Sequence, residues 1–284
     1  MNWLSKPYVK GIIKQALKED LGKGDITTKT IIPGNKYVKG VLLAKQDCVI
    51  CGLAIAAGIF KAQDKNIKFK PLVSDGQKVK RGKIIARFSG RAQSILSAER
   101  VTLNFLSLLS GVASKTRRYV DMVKPYKVKI LDTRKTIPGL RELEKYAVRT
   151  GGGYNHRMKL DGMVLVKDNH IEVACLAGKS LKELVETARR KIPKRVKLEI
   201  EVNNLKEFKD ALKGKPDIIM LDNMQAKDMA KAVLLRGNSP VKLEVSGNVN
   251  LSNIRQIAKT GVDTISIGAL THSVEAIDIS LEIP

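Results

Sequence analysis

Apolar positions recur along this chain in two rhythms, and the rhythm changes near residue 110. In the first part, Ile12, Ile13, Ala16 and Leu17 fall at helical spacing and predict a helix over Lys10–Leu21. Gly22–Thr28 (GKGDITT) follows as a turn-rich segment. Runs of strand character come next at Val38–Ala44, Cys48–Cys51, Ile67–Leu72 and Lys83–Ser89. A helical segment, Leu53–Ala62, interrupts them, and Ser74–Gly82 (SDGQKVKRG) reads as a hairpin connection. This is the pattern of a small α+β unit. Ser97–Met122 then reads as a long helical region, with Ser97 and Arg100 framing its start and Gly111 as a candidate break. Glu99 falls in its first turn, where a carboxylate suits the helix dipole.

The second rhythm is regular. Apolar runs at Val128–Leu131, Met163–Val166, Val196–Val202, Ile218–Leu221, Val241–Val245 and Thr264–Ile267 predict strands. Helical segments such as Leu181–Lys191, Leu205–Leu212, Ala226–Leu235 and Leu251–Lys259 lie between them. Strands and helices alternating in this way form βαβ units with a parallel sheet. The last four runs recur about every 22 residues, as compact βα units do. Six strands fit either an incomplete or irregular α/β barrel or an open doubly wound sheet.

The predicted strands end on unusual residues. Leu131 leads into Asp132-Thr133-Arg134-Lys135, and Val166 into Lys167-Asp168-Asn169-His170. Glu201 lies inside LEIEV, Asp222 closes DIIMLD, and Ser246-Gly247-Asn248 and Ile267-Gly268-Ala269 end the last two runs. Parallel α/β folds bind ligands at the carboxyl ends of their strands, so these groups point to one shared site. Arg100, Arg134, Lys135, His156, Arg157 and Lys167 form a cationic set. Singly, each reads as solvated surface; together, arginine forks and lysine point charges suit a substrate with two carboxylates. Strand alternation puts Glu199 and Glu201 on one face and Leu198, Ile200 and Val202 on the other. Inward carboxylates need a cation or metal to meet. Asp222 reads either as a cap for the next helix or as a Mg²⁺ or ribose-hydroxyl ligand. Gly151-Gly152-Gly153 reads as a helix stop. The SGN and IGA turns, in consecutive final units, suit phosphate binding through backbone N–H groups.

Composition narrows the picture. The chain has 284 residues, 43% of them hydrophobic, which is enough to bury a sizeable core. No run of 18 apolar residues occurs, which argues against a membrane span. Met1–Lys10 is polar, contains Pro7 and lacks the apolar centre of a secretory signal, so the cytoplasm is the expected location. The three cysteines, Cys48, Cys51 and Cys175, do not make a disulfide framework. The single C-x-x-C of Cys48 and Cys51 sits in an apolar run and reads as two buried small hydrophobes. A net charge of +24 calls for anionic partners. The basic residues are dispersed and only 4% of residues are aromatic, without a zinc-finger spacing or stacking motif, which argues against nucleic acid.

The segment ILDTRKTIPGLRELEKYAVRTGGGYNHRMKLDGMVLVKDNH (Ile130–His170) resembles the core signature of the quinolinate phosphoribosyltransferases. EDLGKGDITT, SAERVTLNFLSLLSG, LEIEVNNLKE, IIMLDNM, LEVSGNV and SIGALTHS match in the expected order across nearly the whole chain. The resemblance implies a Mg²⁺-dependent transfer from phosphoribosyl pyrophosphate to quinolinate, giving nicotinate mononucleotide, CO₂ and pyrophosphate for NAD synthesis. It implies an N-terminal α+β sandwich over residues 1–110 and an incomplete α/β barrel over 111–270. A tail from about Thr271 to residue 284 would pack back near the first domain. It also implies a dimer, or a higher homo-oligomer, whose active site is shared between subunits. By the same resemblance, Arg100 from a neighbouring subunit, Thr133, Arg134, Lys135, His156, Arg157 and Lys167 would hold quinolinate and help hold pyrophosphate. Glu201 and Asp222 would face Mg²⁺ and the ribose, and Lys135, Lys167, Glu201 and Asp222 would be the catalytic group. Ser246, Gly247, Asn248, Ile267, Gly268 and Ala269 would hold the 5′-phosphate. The family usually has Ser-Gly-Gly where this chain has Ser246-Gly247-Asn248; Asn tolerates positive φ best after Gly, so phosphate binding is expected to survive. Related transferases with another acceptor, and a basic nucleic-acid-binding protein, are the alternatives.

Overall fold

The structure is a computed structural model that describes residues 7–175 and 178–284. The polar start at Met1–Lys6 lies outside the described residues. In chain order the first elements are α1 (Pro7–Leu21), α2 (Ile26–Ile31), β1 (Tyr37–Ala44), β2 (Cys48–Val49), α3 (Leu53–Gln63) and β3 (Lys68–Pro71). They continue with β4 (Lys78–Val79), β5 (Ile84–Arg91), α4 (Ala92–Val123), β6 (Lys129–Leu131), α5 (Arg141–Thr150) and β7 (Val164–Val166). Then come α6 (Asp168–Cys175), α7 (Leu181–Lys191), β8 (Leu198–Val202), α8 (Leu205–Lys213), β9 (Ile218–Asp222) and α9 (Ala226–Arg236). The last are β10 (Lys242–Ser246), α10 (Ile254–Lys259), β11 (Thr264–Ser266), α11 (Ala269–His272) and β12 (Ile279–Glu282).

The chain forms two compact units. One comprises the residues up to Arg117 with Ile137–Gly152 and Ser273–Pro284; the other comprises Arg118–Thr136 and Gly153–His272. The first unit holds a four-stranded antiparallel sheet in the order β12-β1-β5-β3. Its core is aromatic and aliphatic: Phe60 of α3 stacks on Phe88 of β5 at 5.6 Å and meets Phe69 of β3 at 5.8 Å. Cys48 and Cys51 are buried, and burial pushes the Cys48 thiol up to about 11, so both behave as small hydrophobes here. The stretch 137–152 groups with this unit rather than with the barrel. Gly151 shows why: a Cβ there would lie 2.5 Å from the Ala113 carbonyl oxygen on α4. The end of the chain belongs here too, through Ile277 N–H to Ser107 O (3.1 Å) and the pairing of β12 with β1.

Three local expectations need correction. The turn-rich GKGDITT contains a helix start, because Asp25 caps α2 by accepting from Thr28 N–H at 2.9 Å. α4 begins at Ala92, not Ser97, since buried Ala92 and Ile95 extend its apolar stripe back to the end of β5. It also runs unbroken through Gly111. In the last part, α10 starts at Ile254 rather than Leu251, because the Asn250 side chain accepts from the N–H groups of Ser252 and Asn253 and holds a turn.

The second unit is built on six parallel strands in the order β6-β11-β10-β9-β8-β7. Read cyclically, this is the chain order β6 to β11, closed between β11 and β6 and open between β6 and β7. The sheet is therefore an incomplete barrel, and the doubly wound alternative falls. Ile200, Val202, Ile219, Leu221, Leu243, Val245 and Ile265 are almost completely buried. Their alternation partners face the other way: Glu199 and Glu201 on β8, Met220 and Asp222 on β9, Glu244 and Ser246 on β10, and Thr264 and Ser266 on β11. The inward face is thus polar, and its upper end opens into the site.

Candidate active site

A cavity of about 720 Å³ lies at the carboxyl ends of the strands, lined wholly by the second unit. Its wall includes Thr133, Arg134, Lys135, His156, Arg157, Lys167, Glu201 and Asp222, together with Ser246, Gly247, Asn248, Ile267, Gly268 and Ala269. Arg100 is exposed on α4 in the first unit and does not line this cavity.

Each wall has a local cause. Tyr154 bridges β6 along the edge that β11 leaves open: its N–H donates to Ile130 O at 2.8 Å, and Asp132 N–H donates to Tyr154 O at 3.1 Å. Asp132 is fully buried, and its carboxylate accepts the His156 N–H at 2.9 Å. This carries His156 and Arg157 to the rim beside Arg134. Burial, and then the adjacent Arg134 guanidinium, weakens the hold of Arg157 on its proton. Two guanidinium groups side by side favour an anion between them. Arg157 is fixed by donating Nη1–H to Met163 O at 2.8 Å. On the opposite edge of the sheet, Lys167 Nζ approaches Glu201 Oε2 at 3.3 Å. His170 serves the loop, accepting the Lys167 N–H on Nδ1 at 2.9 Å.

Glu201 is 7% exposed, and its pKa is raised mainly by burial, with Lys167 opposing and Asp222 reinforcing the shift. Asp222 is not the cap of α9, whose N-cap residue is Gln225; its carboxylate instead accepts from Asn223 Nδ2 at 2.6 Å. Two carboxylates on neighbouring strands at a cavity wall form an all-oxygen donor set that fits Mg²⁺.

The turn after β10 is built for close approach. Asn223 and Asn248 both have positive φ (53° and 48°), as does Gly247 at 87°. Asn248 therefore adopts the left-handed conformation that its place in the SGN turn demanded. A Cβ on Gly247 would lie 2.2 Å from Asn223 Oδ1, and one on Gly268 would lie 3.0 Å from Lys135 Cδ. Neighbouring side chains thus fill the space that a Cβ would need at both glycines.

The sequence reading did not single out Asn223, Glu244, Ser266 or His272, which also line the cavity. Glu244 was legible by the argument used for Glu199: it lies two residues before Ser246 on one face of LEVS. At the base of the pocket, His156 Nε2 meets Glu199 Oε2 at 3.0 Å and Glu244 Oε1 at 3.5 Å.

An open parallel α/β barrel with this pocket defines an enzyme that handles small, multiply anionic substrates. Family models agree: the N-terminal domain of quinolinate phosphoribosyl transferase matches residues 25–110, and its C-terminal domain matches residues 112–282. The probable carboxylating nicotinate-nucleotide pyrophosphorylase of Methanocaldococcus jannaschii is 42% identical over 98% of both chains. The protein of the same name from Synechocystis is 42% identical over 95% of this chain and 91% of its own. A solved structure of the nicotinate-nucleotide pyrophosphorylase from Francisella tularensis aligns with a TM-score of 0.90 at 40% identity, covering 98% of this chain and 96% of that one. The chain belongs to the quinolinate phosphoribosyltransferase family.

Proposed function

We propose that this enzyme transfers the phosphoribosyl group of phosphoribosyl pyrophosphate to the ring nitrogen of quinolinate, releasing pyrophosphate and CO₂ and leaving nicotinate mononucleotide for NAD synthesis. The observation that carries this reading is the sorting of charge around one cavity. Cations cluster on the β6 and β7 side, carboxylates lie on β8 and β9, and glycine-containing turns follow β10 and β11.

Quinolinate would lie against Arg134, His156, Arg157 and Lys167, with its two carboxylates matched to the paired guanidinium groups. The 5′-phosphate would sit on the backbone N–H groups of the turns Ser246–Asn248 and Ile267–Ala269. Lys135 packs against Gly268 and would reach the pyrophosphate, with Thr133 turning the backbone by accepting the Lys135 N–H at 3.0 Å. Glu201 and Asp222 would face the ribose hydroxyls and hold Mg²⁺, which when bound would neutralise charge on the departing pyrophosphate. Cleavage of the C1–O bond leaves positive charge on the ribose, close to those carboxylates. The pyridine nitrogen lone pair then forms the new bond at C1, and no base is needed because that nitrogen carries no proton. The pyridinium draws the electrons of the adjacent C–CO₂ bond as CO₂ leaves, and the ring carbon takes up a proton. The protein works by positioning and electrostatics.

A second copy of the chain would supply Arg100, in a dimer with shared sites, and the enzyme would work in the cytoplasm. Among the described residues, no helix is long and apolar enough to cross a membrane.

Pyrophosphate release is the test, with quinolinate, phosphoribosyl pyrophosphate and Mg²⁺, beside nicotinate as control acceptor. Release with quinolinate alone is expected. Release with nicotinate, or with neither, would send the cationic cluster to another acceptor. The nucleic-acid alternative predicts salt-dependent RNA retention without turnover.

A further inference from the structure

Two buried acids at the base of the pocket have no part in the chemistry above. Glu199 of β8 and Glu244 of β10 are 0% and 1% exposed, and both face the barrel interior. Between them stands His156, its side chain 8% exposed, with the acid and ring atoms all within 4.8 Å of one another. Glu244 Oε2 accepts from Thr264 Oγ1 at 3.2 Å. The remaining oxygens, Glu199 Oε1 and Glu244 Oε1, are buried, and among the described residues neither accepts a hydrogen bond, although His156 Nε2 lies 3.5 Å from Glu244 Oε1.

Stability does not account for this arrangement. Two carboxylates brought together away from water repel, and apolar side chains of similar volume would serve the core at least as well. The acids have one evident effect, which is to fix the ring. The His156 main chain is tied by its N–H to Asp132, and its Nε2 is tied to Glu199, so the residue is held at both ends. His156 also lines the cavity beside Arg157.

We propose that Glu199 and Glu244 are positioning residues for the acceptor, a buried two-carboxylate seat that fixes the His156 ring at the pocket wall. This rests on the reading of that wall as the quinolinate subsite. In this role the acids act through the ring. Burial and then Glu199 raise the Glu244 pKa, while His156 opposes the shift.

Glu199→Gln and Glu244→Gln, made separately in the full chain, test the seat, so that a folding failure in one leaves the other informative. The expected result is a rise in the quinolinate KM of roughly ten- to a hundredfold, the scale of one charge-assisted hydrogen bond. The KM for phosphoribosyl pyrophosphate should stay within about twofold, and the melting temperature should be unchanged or higher. The chain has three histidines, so the ¹⁵N ring signals of His156 can be assigned by loss in His156→Gln. They should move in both variants of the free protein. A purely structural pair would lower the melting temperature and raise both KM values together, which overturns the proposal. Ring signals and quinolinate KM that match the parent enzyme overturn it as well. Should the parent enzyme reject quinolinate, the acceptor reading falls by itself. The ring signals then decide the seat, upheld if they move and overturned if they do not.

Discussion

The residues that commit this chain to anionic substrates are few and individually replaceable in different ways. Arg134 pairs with Arg157 at the wall, so Arg134→Ala removes one half of a fork rather than a surface charge. It should cost about 2–5 kcal/mol in kcat/KM for quinolinate. Steady-state kinetics would show this, and near-normal turnover would remove Arg134 from the carboxylate pocket. Gly247 fails for a different reason. Its φ of 87° strains any side chain, and a Cβ would press on Asn223, the residue that donates to Asp222. Gly247→Ala should raise the KM for phosphoribosyl pyrophosphate by about tenfold or more. A KM that stays level would mean the turn can shift aside. Glu244 makes a prediction about pH. Its pKa is raised, to about 7, first by burial and then by Glu199. A carboxyl raised in the fold supports stability at acid pH, and that support is lost as pH climbs from the ordinary carboxylate range to about 7. The melting temperature of Glu244→Gln relative to the parent should therefore climb between those limits and level off above them. A flat difference from pH 4 to pH 8 would mean that Glu244 titrates normally.

At the scale of elements, α4 offers the sharpest case. Gly111 near its middle would ordinarily weaken a helix, and replacing it with Ala would ordinarily help by about 0.5–1 kcal/mol. Here a Cβ would lie 2.4 Å from the Glu275 carbonyl oxygen, so the glycine is there to let the returning chain approach. Gly111→Ala should instead destabilise by about 1–3 kcal/mol, the cost of overpacking, and chemical denaturation would measure it. A stabilised variant would show that the 274–275 segment yields easily. This residue also marks what sequence can and cannot disclose. The helix itself was legible, because its apolar stripe repeats over many turns; the role of Gly111 depends on a segment some 160 residues away. The parallel strands were legible for a similar local reason, since runs such as DIIMLD and LEVS are bounded by glycine and polar residues. Their closure into an incomplete barrel was legible only through the family resemblance, because strand spacing is the same in open and closed sheets. The site followed from polar residues at strand ends, and Lys135, Glu201 and Asp222 do line one cavity. Glu244 was legible by strand alternation, as Glu199 was, but its partners were not, because only the register places it opposite Met220.

Over the whole molecule, the excess of cations is far larger than one pocket requires. There are 52 Lys and Arg against 28 Asp and Glu, and the five Lys and Arg among the site candidates account for only a small part of the difference. Some of the excess is tied up locally, as in Arg236 and Lys242 on Asp263 or Arg189 on Asp217. The remainder sets up a positive field around a molecule whose proposed donor carries several negative charges and whose acceptor carries two. Such a field raises the encounter rate of anions and is screened by salt, since the Debye length falls from about 10 Å at 0.1 M to about 3 Å at 1 M. Contacts inside the pocket are screened much less. The two contributions therefore separate by their salt dependence. If the field steers, the KM for phosphoribosyl pyrophosphate should climb with added potassium chloride more steeply than the KM for quinolinate, because it carries the larger charge. The kcat should meanwhile hold within about twofold, since the bound groups are shielded. Equal slopes for the two substrates would point to chloride competing within the pocket. Flat KM values would leave the charge a matter of solubility, and the pocket alone would then account for recognition of both anions.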